Sequence, residues 1–242
     1  MKRFELYQFQ TSDALNAFEK QIKYELQNTF KTGQDVKLED IHKYVDRNSI
    51  NNLRLKCFAS INKLGWQEIL KKSIFARVRE LLGPDLLIQK KLNLSIQMPN
   101  DKTSILPAHT DCNSGDSPFQ LVVWIPLTNT FSTNSMFIFS RDQSKKYFEC
   151  NRQSSEWNEL AVADDFIKVN RGEYIVFPPT LIHGNQLNET EQTRVSLNVR
   201  VKSLYSPYQP GTPADRTYGT YYSLWNLSEW AEWNNSVYQN LR

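Results

Sequence analysis

Apolar residues recur at spacings of three and four through the first third of the chain. Over residues 11–30 the set Leu15, Phe18, Ile22 and Leu26 traces one helical face, with Ser12 or Asp13 as cap and Gly33 as the stop signal. Residues 38–45 and 50–64 predict shorter helices, the second carrying Leu53, Cys57 and Ile61 on one side. Residues 66–82 hold Ile69, Leu70, Phe75, Val78, Leu81 and Leu82 and end at Gly83-Pro84. The expectation is a helical region over residues 1–84.

After Pro84 the period falls to two. Gln89, Lys91, Asn93, Ser95 and Gln97 alternate with Ile88, Leu92, Leu94, Ile96 and Met98, predicting one strand over 87–99. Further strands are expected at 121–127, 135–139, 165–169, 173–178 and 193–202. Turn residues (Asn129, Asn134, Asn170, Gly172, Gly184) separate them, which indicates an antiparallel double-sheet barrel rather than a parallel α/β sheet. The last forty residues are rich in Tyr and Trp, with a helix expected over 228–241. The fold class is therefore mainly β with N-terminal helices, in a single domain over 1–242. A helical buttress (1–84) supports a jelly-roll or cupin-like barrel (86–203), and an aromatic tail (204–242) follows.

Composition narrows the function classes. The 242 residues are 40% hydrophobic, enough for a sizeable core, and contain no run of about 18 apolar residues that would predict a membrane span. The opening MKRFELYQFQ has no apolar stretch behind its charges and does not read as a signal peptide. A net charge of +3, from 29 basic and 26 acidic residues, is too small to imply nucleic acid or a membrane surface. Cys57, Cys112 and Cys150 are odd in number and show no C-x-x-C spacing, which suits a reduced, cytoplasmic setting. There are only three histidines, so where they lie is informative.

Two of them stand in places that suggest chemistry. His109-Thr110-Asp111 follows a predicted strand, and alternate residues on an extended chain point the same way, so an imidazole and a carboxylate can share one target. His183 lies 72 positions beyond Asp111, again where a strand runs into a loop. Two imidazoles and one carboxylate with open positions make the facial triad of non-haem Fe(II) oxygenases. Arg194 follows His183 by eleven residues on the next predicted strand, where Arg194, Ser196, Asn198 and Arg200 share a face opposite Val195, Leu197, Val199 and Val201. A guanidinium inside a barrel needs an anion, and an Arg–carboxylate pair with a hydroxyl beside it would hold a dicarboxylate. His42 has no partner motif and reads as a helix-face residue, and Cys112 as a small packing residue.

The order His-x-Asp, His, Arg-x-Ser resembles the Fe(II)/2-oxoglutarate-dependent dioxygenase superfamily near its phytanoyl-CoA-dioxygenase branch. The stretch HTDCNSGDSPFQLVVWIPLTNTFSTNSMFIF is also similar to oxygenases of sporadic bacterial carbohydrate-biosynthesis clusters. The likeness covers about 86–203. It implies a double-stranded β-helix with Fe(II) held by His109, Asp111 and His183. It also implies that Arg194 and Ser196 anchor 2-oxoglutarate and that Trp124 and Asn185 line the co-substrate; Gln97, polar on a strand face, is expected to line it as well. The implied reaction is hydroxylation of a small polar substrate, such as a carbohydrate or nucleotide-sugar, with 2-oxoglutarate and O2 giving succinate and CO2; desaturation and ring closure are the alternatives. Asp111 disfavours halogenation, since halogenases of this kind lack a carboxylate there.

Polar strand residues Asn93, Ser95, Asn198 and Arg200 are expected substrate contacts. Two other functions compete. Arg194 and Arg200 fit the Arg-x5-Arg of nucleic-acid-dealkylating relatives, although no basic stripe interleaved with aromatics accompanies them. A cupin-type binding module or isomerase without redox chemistry is the second, although such sites usually recruit more histidines. The aromatic tail (Tyr218, Tyr221, Tyr222, Trp225, Trp230, Trp233) suits stacking on sugars, and suits better a helix packed on the barrel or a homodimer contact.

Overall fold

A computed structural model describes residues 3–33, 36–149 and 166–240 of the chain. Strand β1 (Glu5–Gln8) leads into α1 (Asp13–Phe30), a 3-10 turn (Leu38–Lys43), α2 (Ile50–Ile61) and α3 (Trp66–Leu82). There follow β2 (Leu86–Gln89), β3 (Asn93–Gln97), β4 (Gln120–Pro126), β5 (Met136–Ile138), α4 (Arg141–Glu149) and β6 (Glu173–Phe177). The chain continues through β7 (His183–Asn185), β8 (Arg194–Ser203), β9 (Tyr222–Asn226) and α5 (Glu229–Asn240).

The helices obey their hydrophobic spacing. α1 buries Ala14, Leu15, Phe18, Ile22 and Leu26. It stops before Gly33: Lys31 adopts φ 56° and its N–H donates to Gln27 O at 2.9 Å, so a lysine takes the left-handed cap position that glycine usually fills. α3 buries Trp66, Leu70, Ile74 and Val78, while Leu81 is exposed at the edge of the apolar stripe.

The main sheet is antiparallel in the order β1-β6-β4-β8-β2-β9, with β3 also paired to β8. β8 is its axis. One edge pairs with β4 from Pro126↔Ser196 to Gln120↔Lys202. The other pairs first with β3 (Gln97↔Arg194 to Asn93↔Asn198) and then with β2 (Ile88↔Val201 to Leu86↔Ser203). The single strand expected over 87–99 is thus two. Lys90 N–H donates to Tyr221 O at 2.8 Å and Leu92 N–H to Asn62 Oδ1 at 2.8 Å, which takes these donors out of the ladder. Three strands, β1, β7 and β9, escaped the hydrophobic pattern altogether. β1 lies inside the region expected to be helical, and β9, within the aromatic tail, forms the sheet's far edge.

Alternation along β8 separates two cores. Val195, Leu197, Val199 and Val201 pack toward the helices with Val123, Ile125 and the buried faces of α1–α3. On the other side, Val122, Trp124, Ile175 and Phe177 meet Met136, Ile138 and Leu181 of a smaller layer. That layer is the pair β5–β7, extended by isolated bridges His109↔His183 and Phe137↔Phe166. Of the strand expected at 165–169, Phe166 and Val169 make only single bridges, to Phe137 and Thr130; Asp165, like Cys150, lies outside the described residues. The polar face of β8 therefore looks into the gap between two antiparallel layers.

The tail is largely occupied by its own chain. Trp225 Nε1 donates to Gln67 O at 3.2 Å and its ring meets Phe75 edge-on, while Tyr222 is fully buried. Trp230 and Trp233 stand exposed on α5. No helix among the described residues is long and apolar enough to cross a membrane.

Candidate metal centre and anion pocket

Backbone pairing brings the two histidines together. His109 N–H donates to His183 O at 3.0 Å and His183 N–H to His109 O at 2.9 Å, so two residues 74 apart in sequence become cross-strand neighbours with ring centroids 4.4 Å apart. Each Nδ1 lies 2.8 Å from the carbonyl two residues earlier, Pro107 O for His109 and Leu181 O for His183. A carbonyl only accepts, so Nδ1 carries the proton and Nε2 keeps its lone pair, the tautomer a metal requires. The Nε2 atoms of His109 and His183 lie 3.8 and 3.7 Å from Asp111 Oδ1, and the three ligating atoms are within 4.8 Å of one another.

Asp111 opens a 3-10 turn (Asp111–Ser114) capped by the Thr110 hydroxyl, which accepts from Cys112 N–H at 3.0 Å. Its carboxylate is buried and gripped by both arms of Arg200, Nε to Oδ2 at 3.1 Å and Nη2 to Oδ1 at 2.8 Å. Burial alone would raise the Asp111 pKa. Arg200 and the two imidazoles outweigh it and hold the carboxyl below its ordinary range. Burial pushes the His183 imidazole down to about 4, so this ring is neutral near pH 7.

Arg200 and Asn198 are engaged within the chain as well as lining the cavity. Arg200 is a fork on Asp111, and its Nη1 donates at 2.7 Å to Asn198 Oδ1, which also accepts from Asn93 Nδ2 at 3.0 Å. The three form a chain that orients Asp111. Strand alternation could place Arg200 on the inner face, but only the docking of the 111–114 turn sets the carboxylate against it.

His109, His183 and Arg200 line a cavity of about 300 Å³ between the layers, together with Trp124, Asn185, Asn198, Ser95, Arg194 and Ser196. Arg194 is buried, and its Nη2 donates to Ser95 Oγ at 3.0 Å. Its Nε and the neighbouring Ser196 Oγ are buried without a partner among the described residues. Burial lowers the guanidinium to about 10. A buried cation with a spare donor and an idle hydroxyl beside it could receive an anion.

One expected co-substrate residue, Gln97, is corrected. Gln97 is fully buried but does not line the cavity; its Nε2 donates to Gln186 O at 2.6 Å. Asn185 lines the cavity, yet its amide is spent on the 104–106 loop, with Oδ1 accepting from Leu106 N–H at 2.5 Å and Nδ2 donating to Ser104 O at 3.1 Å. Asn93 lines a second cleft on the other flank of Arg200. Trp124 and Ser95 face the cavity. Gly184, expected as a turn residue, lies instead within β7, where an added Cβ would lie 2.7 Å from Leu106 O and 3.0 Å from Pro107 O. A glycine between a candidate ligand and Asn185 was the available signal of close backbone approach. Sequence reasoning passed over Asp116: it is buried, and Arg216 Nη1 reaches its Oδ1 at 3.2 Å.

No family model matches the chain. The streptomycin biosynthesis protein StrG of Streptomyces griseus is 26% identical over 136 residues, which cover 54% of this chain and 56% of StrG. The chain thus spans about half the length of that curated relative. Among solved structures, the non-heme monooxygenase ThoJ in its apo form aligns with a TM-score of 0.55 at 18% identity, over 94% of this chain and 82% of that one. The iron-bound HygX of Streptomyces hygroscopicus aligns with a TM-score of 0.49 at 12% identity, over 93% and 94% of the two chains. The chain shares its fold with ThoJ.

Proposed function

We propose that the chain is an Fe(II)- and 2-oxoglutarate-dependent oxygenase that hydroxylates a small polar substrate such as a carbohydrate or nucleotide-sugar, with the two sheets acting as a double-stranded β-helix. One observation carries this reading: three metal-type donors converge, and two of them, His109 and His183, line the cavity that holds an orphaned buried arginine. The donor set suits Fe(II), since both imidazoles present free Nε2 atoms and the carboxylate is ionised. The cavity, small for a ligand site, suits a short dicarboxylate whose distal carboxylate would meet Arg194 and Ser196.

When bound, Fe(II) with 2-oxoglutarate and O2 supplies the oxidising power for attack on a C–H bond. The chain's own residues bind, orient and exclude. Pro107 O and Leu181 O fix the imidazole tautomers, Arg200 keeps Asp111 ionised and in place, and Trp124, Val122 and Phe177 shut water out of the anion pocket. The names of ThoJ and StrG, an oxygenase and an antibiotic-biosynthesis protein, agree with a biosynthetic oxygenase. Against a nucleic-acid substrate, the cleft beside the site balances positive and negative side chains and offers no basic stripe.

The test is anaerobic addition of Fe(II) and 2-oxoglutarate, followed by visible absorption and by succinate formation on admitting O2. Wild type is expected to develop a charge-transfer band, and Asp111→Ala and Arg194→Met to lose it. Absence of any band in wild type would return the chain to the non-redox binding-module reading.

A further inference from the structure

The cavity that holds Arg194 is matched by a second, more open cleft of about 440 Å³ on the other flank of the Asp111–Arg200 pair. Its walls come from three places: the interrupted strand edge at 89–93, the turn that begins at Asp111, and the segment 215–221 of the aromatic tail. The break between β2 and β3 therefore opens a wall of this cleft, and the tail supplies another.

The tail segment is strapped down. Gln209 Nε2 donates to Cys112 O at 3.1 Å, Ser117 Oγ donates to Pro207 O at 3.0 Å, and Arg216 pairs with Asp116 at 3.2 Å. Gly115 packs so closely under Pro213 that a Cβ there would stand 2.5 Å from Pro213 Cδ. Arg216 also lies over the Tyr221 ring, 4.6 Å from its centroid, which fixes the ring at the cleft wall. A wall tied at four points to the turn carrying a candidate metal ligand is preorganised for binding.

We propose that this cleft binds the substrate and that the substrate is an uncharged polyhydroxylated molecule, an inference that rests on the oxygenase reading above. Three cations (Lys91, Arg200, Arg216) face three carboxylates (Asp111, Asp116, Asp215). Most are already paired: Arg200 with Asp111 at 2.8 Å, and Asp116 with Arg216 at 3.2 Å and Arg200 at 3.7 Å. Only Lys91 and Asp215 lack an ion-pair partner among the described residues, one of each sign. A phosphate would find one uncommitted cation and a polyamine one uncommitted anion. Hydroxyls, which donate and accept at once, match such alternating groups. The Tyr221 hydroxyl is a further donor and acceptor without a partner among the described residues, and burial keeps it protonated to about pH 12. Because Arg200 borders both spaces and the candidate ligand Asp111 lines the cleft, a molecule in the cleft would sit one side chain from the candidate metal.

The experiment is saturation-transfer NMR on the full chain with two neutral probes, methyl α-D-glucopyranoside and myo-inositol, and two charged ones, glucose 1-phosphate and spermidine. Transfer to a neutral probe is expected, with affinity falling at least five-fold in Tyr221→Phe and Asp215→Ala and unchanged in Tyr24→Phe on the outer face of α1. Transfer insensitive to the cleft variants, no transfer to either neutral probe, or stronger transfer to a charged probe each overturns the proposal. Fe(II)–2-oxoglutarate absorbance of wild type is read in parallel. If it appears while probe binding fails, the cleft assignment alone falls; if it is absent while the probe binds, the oxygenase reading falls.

Discussion

Gly184→Ala tests whether backbone contact between β7 and the 106–109 segment sets the metal geometry. The added methyl would lie 2.7 Å from Leu106 O, 2.9 Å from Phe137 Cζ and 3.0 Å from Pro107 O, against an ordinary contact of 3.4 Å or more. Relief demands that the 106–107 backbone retreat by about 0.7 Å, and two of the three obstacles are carbonyls with no rotamer to change. Those carbonyls are engaged, Leu106 O by Asn185 N–H at 2.9 Å and Pro107 O by His109 Nδ1 at 2.8 Å. Overpacking of this kind costs about 1–3 kcal/mol. For a chain of 242 residues that lowers Tm by roughly 3–9 °C. Moving the Pro107 carbonyl also loosens the hydrogen bond that orients His109, which is worth about 10–100-fold in metal affinity. Thermal unfolding of the metal-free chain and a Ni(II) titration read the two effects separately. Gly33→Ala is the control, since nothing lies within 4 Å of the Cβ it would add. A Gly184→Ala chain with unchanged Tm and unchanged Ni(II) affinity would refute the reasoning.

Three further outcomes follow from charge burial. Arg194→Met removes a buried cation that no carboxylate pairs among the described residues, so the metal-free chain is expected to unfold no earlier than wild type while 2-oxoglutarate affinity falls by about 30-fold or more; a lower Tm with affinity intact would contradict the anion-pocket role. Arg200→Gln should act oppositely, costing about 3–5 kcal/mol in urea unfolding because Asp111 is left buried and unpaired. Lys202 is fully buried, donates to Ser206 O at 2.7 Å, and has its pKa lowered to about 8 by burial. Its folded pKa lies below the unfolded value near 10.4, so the folded chain binds fewer protons between those limits and stability rises with pH across the window. Lys202→Met should therefore gain up to about 3 kcal/mol at pH 7, less the lost carbonyl and Tyr208 contacts, and the gain should vanish by pH 10.5.

Much of the framework was legible because it depends on local periodicity. The buried face of α1, the limits of α3 and the two-sided alternation of β8 follow from spacing that any buried helix or strand must satisfy. β1 and β9 were not legible, since a four-residue and a five-residue strand at or near a sheet edge carry too few periods to stand out. The break at 90–92 was hidden for a different reason. It is made by acceptors from α2's end and the tail, Asn62 Oδ1 and Tyr221 O, that local pattern does not contain.

At the site, the chain alone determined which side chains carry chemistry: two imidazoles, a carboxylate and an inward arginine, named by residue type, order and the face of a strand. Tertiary structure decided what each one touches. It set His109 beside His183 through a single antiparallel bridge, made Arg200 the clamp on Asp111, and took Gln97 out of the cavity. It left Arg194 without a counter-ion among the described residues. The physical reason is range: periodicity reports a side chain's direction relative to its own strand, whereas hydrogen bonds and ion pairs depend on a partner whose distance is set by the packing of layers far apart in sequence.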